Sequence, residues 1–451
     1  MKIPLTKYLY LIVYILGVIG LISCSSSTEL SSTNLAQLYQ DESFFLKPQF
    51  NIHHINDDTT RVFFKIESDQ VLYVRNQDGR YEARVKISYR LLDSYILSQV
   101  IDTGTVVLTD LVDEPVAKMI KGHFNLSYPI QDEDNRYVLE VTLTDLKRKI
   151  QYKDLIDIHK YSAQHRQTFT FSDTSGIMHF NPWIEPGSPF LLQHASGAKT
   201  YQVRVYTRTF PLAAPPHVEN RGSSLSYEAD SIFTQSSEGP IVLTEPGFYH
   251  FQINDEDKNG FTVYLLGAEY PYVSRKGDLG PPLRYLTTNT EYSQIYLKDD
   301  PEQSKKNVDD FWLRRVSTLE QAEELVSTFY GRIETSNRLF TSYVEGWRTD
   351  RGIIYSVYGP PSGIYRNSTG ETWVYGNENS SLNYVFNFVK VSNPFSENDF
   401  ALSRLSRYRY GWGQAIEAWR RGTTYNVTDI KREQDERDRQ LQYSNQPNFW
   451  Y

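Results

Sequence analysis

The stretch that decides the fold of the N-terminal half is Tyr81-Glu-Ala-Arg-Val-Lys-Ile-Ser-Tyr89, in which apolar and polar side chains alternate. Alternation with a period of two places successive side chains on opposite faces of a strand, so that one face is buried. The same pattern recurs at 61–66 and 137–143, and Asp78-Gly79 and Tyr128-Pro129 mark turns. Short strands at this spacing predict an all-β, immunoglobulin-like sandwich over residues 44–160.

A second β-rich block covers residues 161–280. Segments 168–171, 201–206 and 247–253 alternate in the same way. The proline-rich segment 211–216 predicts a loop or a sheet edge, because proline cannot donate to a strand ladder. We therefore predict a second sandwich, and no close sequence repeat links it to the first.

The pattern changes after Gly280-Pro281-Pro282. Residues 307–340 carry apolar side chains at three- and four-residue steps, which predicts a helix. A strand is predicted over 352–358, ended by Gly359-Pro360, and segments 372–375 and 382–389 form a predicted hairpin. The fold class is therefore mixed: two all-β sandwich domains, an α+β domain over 281–425, and a charged arm with an aromatic end over 426–451.

The N-terminus has the pattern of a secretory signal. Lys2 and Lys7 precede fifteen uncharged residues, Tyr8–Ile22, which are too few to span the ~30 Å hydrocarbon core. Leu21-Ile22-Ser23-Cys24 resembles a bacterial lipobox, which implies cleavage after residue 23 and lipidation of Cys24. Ser25 argues by resemblance against retention in the inner membrane. Residues 24–43, rich in Ser, Thr and Asn, are predicted to be a flexible tether.

Composition excludes several classes of function. The net charge is −8 over 451 residues, and losing two lysines with the signal peptide makes it −10, so an electrostatic partnership with nucleic acid is not expected. The single cysteine excludes an intramolecular disulfide and a cysteine-based zinc site. We expect neither a metal nor a cofactor. Aromatic content is high, with 34 Tyr, 23 Phe and 7 Trp, which favours binding through aromatic surface.

The C-terminal domain contains the block Gly346-Trp-Arg-Thr-Asp-Arg-Gly352, followed by Tyr358-Gly-Pro-Pro361 and Trp373-Val-Tyr375. With the flanking segments 310–315 and 419–422, this pattern resembles the GWxTD domain family over about residues 283–422. The resemblance implies an outer-membrane lipoprotein of the Bacteroidota type, with β-sandwich regions before the domain. It implies no catalytic residue, because no family site can be transferred.

The residues of this motif favour a structural role. Glycine permits tight turns or close backbone approach, and Trp347 can anchor a core. Asp350 is expected to cap a turn or to pair with Arg351 or Arg314, and a ligand-binding role for it is the alternative. The motif residues to which this interpretation applies are Gly346, Trp347, Thr349, Asp350, Arg351, Gly352, Gly359 and Pro360.

Catalysis has little support in the sequence. All nine histidines precede residue 251, so no Ser-His-Asp or Cys-His arrangement can form within the C-terminal domain. A carboxylate-dependent hydrolase built on Asp350, Glu345 and Glu371 is one alternative, since that chemistry needs only paired acids. Residues 255–260 resemble the start of an EF-hand loop, but position twelve is Leu266, so a hairpin turn is the better interpretation.

Aromatic residues near the C-terminus are the predicted protein-binding surface. Tyr408, Tyr410, Trp412 and Trp419 are interleaved with arginines, a composition typical of interface hot spots. The chain end Phe449-Trp450-Tyr451 is a second candidate for docking to a partner.

Together these features predict a non-enzymatic lipoprotein of the outer membrane, on either its periplasmic or its outer face. We expect a scaffold or an accessory subunit of an envelope complex, and we favour a complex that assembles or exports outer-membrane proteins, such as the β-barrel assembly or secretion machinery. Two alternatives are a glycan-binding lipoprotein for nutrient uptake and the hydrolase named above.

Overall fold

The computed structural model describes residues 30–40, 46–96, 99–128, 136–160, 162–219, 226–376 and 384–426, and positions 429, 430, 432, 435, 436 and 439. The predicted signal peptide, Cys24, the turn at 129–135 and the end Phe449-Trp450-Tyr451 lie outside the described residues.

The first domain is a sandwich of two antiparallel sheets. One sheet has the order β1-β2-β6; in the other, β4 pairs with β5 on one side and with β3 and β7 on the other, and β8 pairs with β7. The alternation at 81–89 buries Ala83, Val85 and Ile87 between the sheets. Its strands are β1 (Gln49–His54), β2 (Thr59–Glu67), β3 (Val74–Arg75), β4 (Tyr81–Leu92), β5 (Val100–Val112), β6 (Met119–Ser127), β7 (Arg136–Asp145) and β8 (Gln151–His159).

The second domain packs a two-stranded sheet, β9-β10, on a four-stranded sheet of order β12-β11-β13-β14. Phe171, Phe190 and Phe251 are buried between them. The proline-rich segment 211–216 lies outside every strand. The strands are β9 (Phe169–Ser172), β10 (Leu191–His194), β11 (Thr200–Tyr206), β12 (Ser231–Ser236), β13 (Gly247–Gln252) and β14 (Phe261–Leu265).

The third domain combines helices with an antiparallel sheet of order β15-β16-β17-β18, which confirms the predicted fold class of two β-sandwiches followed by an α+β domain. Its helices are α1 (Asn289–Ile295), α2 (Pro301–Leu313), α3 (Leu319–Phe340), α4 (Asp350–Tyr358) and α5 (Tyr408–Arg420). Its strands are β15 (Gly363–Asn367), β16 (Gly370–Tyr375), β17 (Tyr384–Lys390) and β18 (Phe400–Leu402).

Two predicted elements of this domain differ from the structure. The helix predicted over 307–340 is two helices, because Thr318 accepts a hydrogen bond from Gln321 N and so caps the start of α3. The strand predicted over 352–358 is the helix α4. Every residue from Arg351 to Tyr358 is buried, so this helix lacks the polar face that reveals a helical period.

The segment Leu30–Gln40, here called the N-terminal strap, lies against the third domain. Leu35 N donates to Ile364 O at 2.8 Å, and the Tyr355 hydroxyl donates to Tyr39 O at 2.7 Å. The tether predicted over 24–43 is therefore wrong for these residues: Leu30, Leu35 and Tyr39 are buried in the core of the third domain. None of the helices in the described ranges is long and apolar enough to cross a membrane.

Two buried histidines make stability depend on pH. Nε2 of His250 donates to Lys258 O and its Nδ1 accepts from Thr262; Nε2 of His54 donates to His159 O. Burial lowers the pKa of His250 from 6.5 to about 3 and that of His54 to about 4. Because these pKa values are depressed, the stability contributed by the neutral rings is complete above pH 6.5 and is lost as the pH falls through about 4 and about 3.

We therefore expect the urea midpoint to decrease as the pH is lowered from 6.5. Burial raises the pKa of Asp399 to about 6, so protonation of Asp399 below that pH stabilises the folded state and opposes the effect of the histidines. The pKa shifts of the two histidines are larger, so we expect the net effect to be a loss of stability. In the variant His250→Asn the decrease should be smaller, because one depressed titration is removed. A midpoint that is constant or rises between pH 6.5 and about 4 would contradict this assignment.

Candidate functional site

The motif Gly346–Gly352 forms a tight turn that leads into helix α4. Gly346–Arg348 is a 3-10 turn, and Thr349 caps the helix by accepting a hydrogen bond from Gly352 N at 3.1 Å. A Cβ on Gly346 would lie 1.9 Å from Ser336 O, so only glycine lets the turn approach helix α3 this closely. Trp347 is buried in the same core.

Asp350 is fully engaged inside the domain. Its Oδ2 accepts from Leu402 N at 2.7 Å and from Arg404 Nη1 at 2.9 Å, and its Oδ1 pairs with Arg404 Nη2. The side chains of Arg404 and Asp350 are only 8% and 11% exposed. The predicted pairing of Asp350 with Arg351 or Arg314 is wrong.

The same residues hold a loop of the second sandwich. Ala213 N donates to Arg348 O at 3.1 Å, the Arg348 guanidinium donates to Phe210 O, and Arg404 Nη2 donates to Ala214 O at 3.1 Å. We call this set of contacts between Arg348, Arg404 and segment 210–214 the motif joint. Asp350 positions the Arg404 guanidinium for it, so the motif connects two domains.

Replacing Asp350 with alanine should therefore lower the free energy of unfolding by about 3 kcal/mol, because Arg404 is left without its carboxylate in a nearly buried position. The matched control is Asp310→Ala. Asp310 pairs with Arg314 four residues along a helix, with side chains 61% and 77% exposed, and its loss should change stability by no more than about 0.5 kcal/mol. Urea unfolding measures both, and equal effects would refute the structural role of Asp350.

A second network surrounds Glu371, here called the Glu371 cluster. The buried carboxylate accepts from the Tyr39 hydroxyl at 3.1 Å, from Trp373 Nε1 at 3.0 Å, from Arg366 Nε at 3.1 Å and from Arg351 Nη1 at 3.4 Å. The Arg351 guanidinium also lies 3.9 Å from the centre of the Phe400 ring. One carboxylate therefore binds the N-terminal strap to the third domain.

Charge keeps this carboxylate ionised. Burial alone would raise the pKa of Glu371, but the two guanidinium groups outweigh it and lower the pKa to about 2. Burial, followed by the Glu371 charge, raises the pKa of the Tyr39 hydroxyl to about 12. Glu371 therefore remains an acceptor and Tyr39 a donor between about pH 2 and about pH 12.

Ionic contacts also join the first sandwich to the third domain. Arg366 Nη1 bonds Leu155 O at 2.7 Å and Asp154 at 3.2 Å, and Lys390 pairs with Asp157 at 2.7 Å. These contacts border a cavity of about 510 Å³ where the three domains meet. Its charged lining is dominated by these pairs, which favours a structural interface over a binding site at this position.

The predicted partner surface is mostly core. Tyr408, Trp412 and Trp419 are 3%, 6% and 0% exposed and form the buried face of α5, so the prediction that they contact a partner is wrong. Tyr410 is 61% exposed and remains on the surface.

The remaining motif residues are placed at the end of α4. Gly359 has φ of 76°, which favours glycine, and its carbonyl accepts from the Tyr375 hydroxyl at 2.8 Å. Pro360 follows directly. Both therefore terminate the helix.

The three carboxylates of the hydrolase alternative all form ion pairs within the protein. Glu345 bonds Arg348 at 2.7 Å, while Asp350 and Glu371 are bound as described. The acid-rich segment 255–260 connects β13 to β14, and Asp255 pairs with Arg204 at 3.2 Å. Within the described ranges, no three His, Cys, Asp or Glu side chains are grouped to hold a metal ion.

Sequence reasoning missed Tyr39, Arg366 and the roles of Arg404 and Glu371. In the sequence, Arg404 is only one of several arginines near the aromatic residues 408–419, and Glu371 is only one of three candidate carboxylates. Their partners are distant in the chain: Tyr39 lies 332 residues before Glu371. The sequence signal for such a buried ion pair is a charged residue, Arg or Glu, within a predicted strand whose other residues are apolar.

The fold and these contacts define a three-domain protein whose third domain uses charged motif residues to bind its neighbours. Residues 247–421 match the family model of the GWxTD domain. The chain therefore carries a GWxTD domain, as the resemblance predicted. The match begins at β13, so it includes part of the second sandwich and segment 402–404 but not segment 210–214.

No curated protein is significantly similar to the chain. Solved structures with some likeness include a glycosyl hydrolase family 2 member from Bacteroides cellulosilyticus (11% identity, TM-score 0.19, 28% of this chain and 18% of that one). A second is Bacteroides uniformis beta-glucuronidase 2 (12% identity, TM-score 0.17, 31% of this chain and 15% of that one). A third is Escherichia coli alpha-2-macroglobulin (12% identity, TM-score 0.14, 48% of this chain and 21% of that one). The chain covers about a fifth or less of each, and scores this low carry no argument about function.

Proposed function

We propose that this protein is a lipid-anchored, non-enzymatic scaffold or accessory subunit of an envelope complex. The leading candidate is a machine that assembles or exports outer-membrane proteins. The observation that supports a scaffold most is that the charged residues of the motif and of the Glu371 cluster bind one another and the neighbouring domains. Groups engaged in this way build a rigid body and are poorly suited to proton transfer.

The proposed anchor gives this body an orientation. Leu30, which is buried in the GWxTD domain, lies six positions after Cys24 in the chain. A chain of that length spans at most about 20 Å. If Cys24 carries lipid, the GWxTD domain therefore lies next to the bilayer and the strap transmits the attachment.

Crosslinking in intact cells of the native host, followed by mass spectrometry, tests the proposal. We expect stoichiometric crosslinks to an integral outer-membrane protein, and we expect Cys24→Ser to leave the protein unlipidated by intact mass and to abolish those crosslinks. Recovery of the native protein only as a monomer would remove the scaffold hypothesis, and an unmodified Cys24 in the mature wild-type protein would remove the anchor.

The two alternatives have separate tests. Binding on a glycan array without a crosslinked protein partner would favour the glycan-binding lipoprotein. A hydrolase would require turnover that Asp350→Asn or Glu371→Gln abolishes while the variant remains folded.

A further inference from the structure

Two lysines face each other on neighbouring strands of the first sandwich. Lys65 on β2 and Lys121 on β6 are direct cross-strand partners. Like charges in this position destabilise a sheet. Lys65 is half-buried, and among the described residues neither lysine forms an ion pair. An unopposed pair of cations in a folded sheet marks a position where local stability has been given up, which is typical of a functional site.

The pair lines a cleft between the two sandwiches. The cleft has a volume of about 540 Å³, and its other wall is the segment 173–189 with Tyr270. Clefts at domain interfaces with volumes of this order are common sites for small ligands. Three aromatic residues line the cleft: the Lys65 ammonium lies 4.9 Å from the centre of the Phe180 ring, and Trp183 packs edge-on against Tyr270 at 5.5 Å.

Two carboxylates, those of Asp173 and Glu185, also line the cleft, and among the described residues neither forms an ion pair with Lys65 or Lys121. Oδ1 of Asp173 accepts from Ser175 N and from Ile177 N, both at 2.9 Å. Glu185 is exposed. Burial and then the Lys121 charge lower the pKa of Lys65, opposed by Glu67 on the same strand. The positive charge of the cleft is therefore concentrated on the wall formed by β2 and β6, where the two lysines are cross-strand partners.

We propose that this cleft binds a small ligand that carries a carboxylate or a phosphate on a ring, as in a uronic acid or a sugar phosphate. The two ammonium groups bind the anion, and the faces of Phe180 and Trp183 pack against the ring. This site goes beyond the proposed scaffold function and does not depend on it, because it lies between the two sandwiches and uses none of the motif residues.

The test uses the full mature chain and four probes at millimolar concentration: glucuronate, glucose 6-phosphate, glucose and inorganic phosphate. Saturation-transfer NMR should show contact with the ring protons of glucuronate, of glucose 6-phosphate or of both, and the same compounds should raise the thermal midpoint. Glucose lacks the anion and phosphate lacks the ring, so each should bind at least roughly ten-fold more weakly. The comparison of the two acids identifies the preferred anion.

The variant Lys121→Met should reduce binding by roughly ten-fold or more, since one of two ammonium groups is lost. It should also raise the thermal midpoint of the free protein by about 1–2 °C, because the repulsion between the lysines is removed. Lys86→Met on β4 is the matched control and should change neither quantity. The proposal is overturned if neither acid binds, if phosphate alone binds as well as the ring compounds, or if Lys121→Met binds like the wild type.

Discussion

Replacing Glu371 with alanine should lower the free energy of unfolding by about 3–5 kcal/mol, among the largest single effects expected in this chain. The carboxylate is 1% exposed and lies between Arg351 and Arg366, whose side chains are 3% and 19% exposed. Its removal leaves two guanidinium groups in a poorly solvated position and removes the acceptor for the Tyr39 hydroxyl. Urea unfolding followed by tryptophan fluorescence measures the loss.

Glu417→Ala is the control for this prediction. Glu417 pairs with Arg421 one helical turn away, with side chains 47% and 73% exposed, and its loss should cost no more than about 0.5 kcal/mol. Glu371→Ala should also expose the N-terminal strap to protease, because Tyr39 loses its main polar contact. A variant as stable as Glu417→Ala would show that the cluster does not hold the strap.

Local periodicity explains which elements the sequence predicts well. Strands β2 and β4 of the first sandwich alternate between buried and more exposed side chains, so their period of two is visible in the sequence. Helix α4 is buried on all sides and is rich in Ile, Val and Tyr, which are strand formers, so its apolar run predicts a strand. Thr349 followed by Asp350 is a helix-start pattern that would have corrected this assignment.

The buried face of α5 was also visible in the sequence. Tyr408, Trp412, Ala415 and Trp419 follow steps of four, three and four residues, which is the period of an amphipathic helix. Their aromatic composition is typical of a binding surface, whereas their spacing predicts a buried helix face. The average composition of the N-terminal strap likewise predicts a flexible tether. The strap packs on the third domain because a few apolar side chains among its Ser and Asn residues are buried there.

Ion-pair partners, in contrast, depend on the assembled fold. Asp350 lies one residue before Arg351 and 54 residues before Arg404, yet helix α4 turns Arg351 toward Glu371 and β18 brings Arg404 to Asp350. Adjacent residues on a helix point about 100° apart, so neighbours in the sequence seldom pair. The motif joint could therefore not be predicted from the sequence alone.

Replacing Gly346 with alanine should lower the free energy of unfolding by about 3 kcal/mol, near the upper end of what an added methyl group costs in a packed site. Gly346 needs no unusual backbone angle. Its requirement is space, because the new Cβ would lie 1.9 Å from Ser336 O and 2.7 Å from Asn337 Cα, both backbone atoms of helix α3 that cannot turn away. The motif turn would have to move, and Arg348 would move with it.

Gly331→Ala is the control, and it should change the free energy of unfolding in the opposite direction. It distinguishes the steric effect of an added methyl group from the effect of alanine on helix propensity. Gly331 lies within α3, and a Cβ there would meet nothing within 4 Å. Alanine should therefore raise the free energy of unfolding by about 0.5–1 kcal/mol, because it restricts the unfolded chain and favours the helix. If Gly346→Ala were as harmless as Gly331→Ala, the turn would not be packed against α3. The motif glycine would then have to be explained by a ligand that approaches the backbone, and the structural interpretation of the motif would fail.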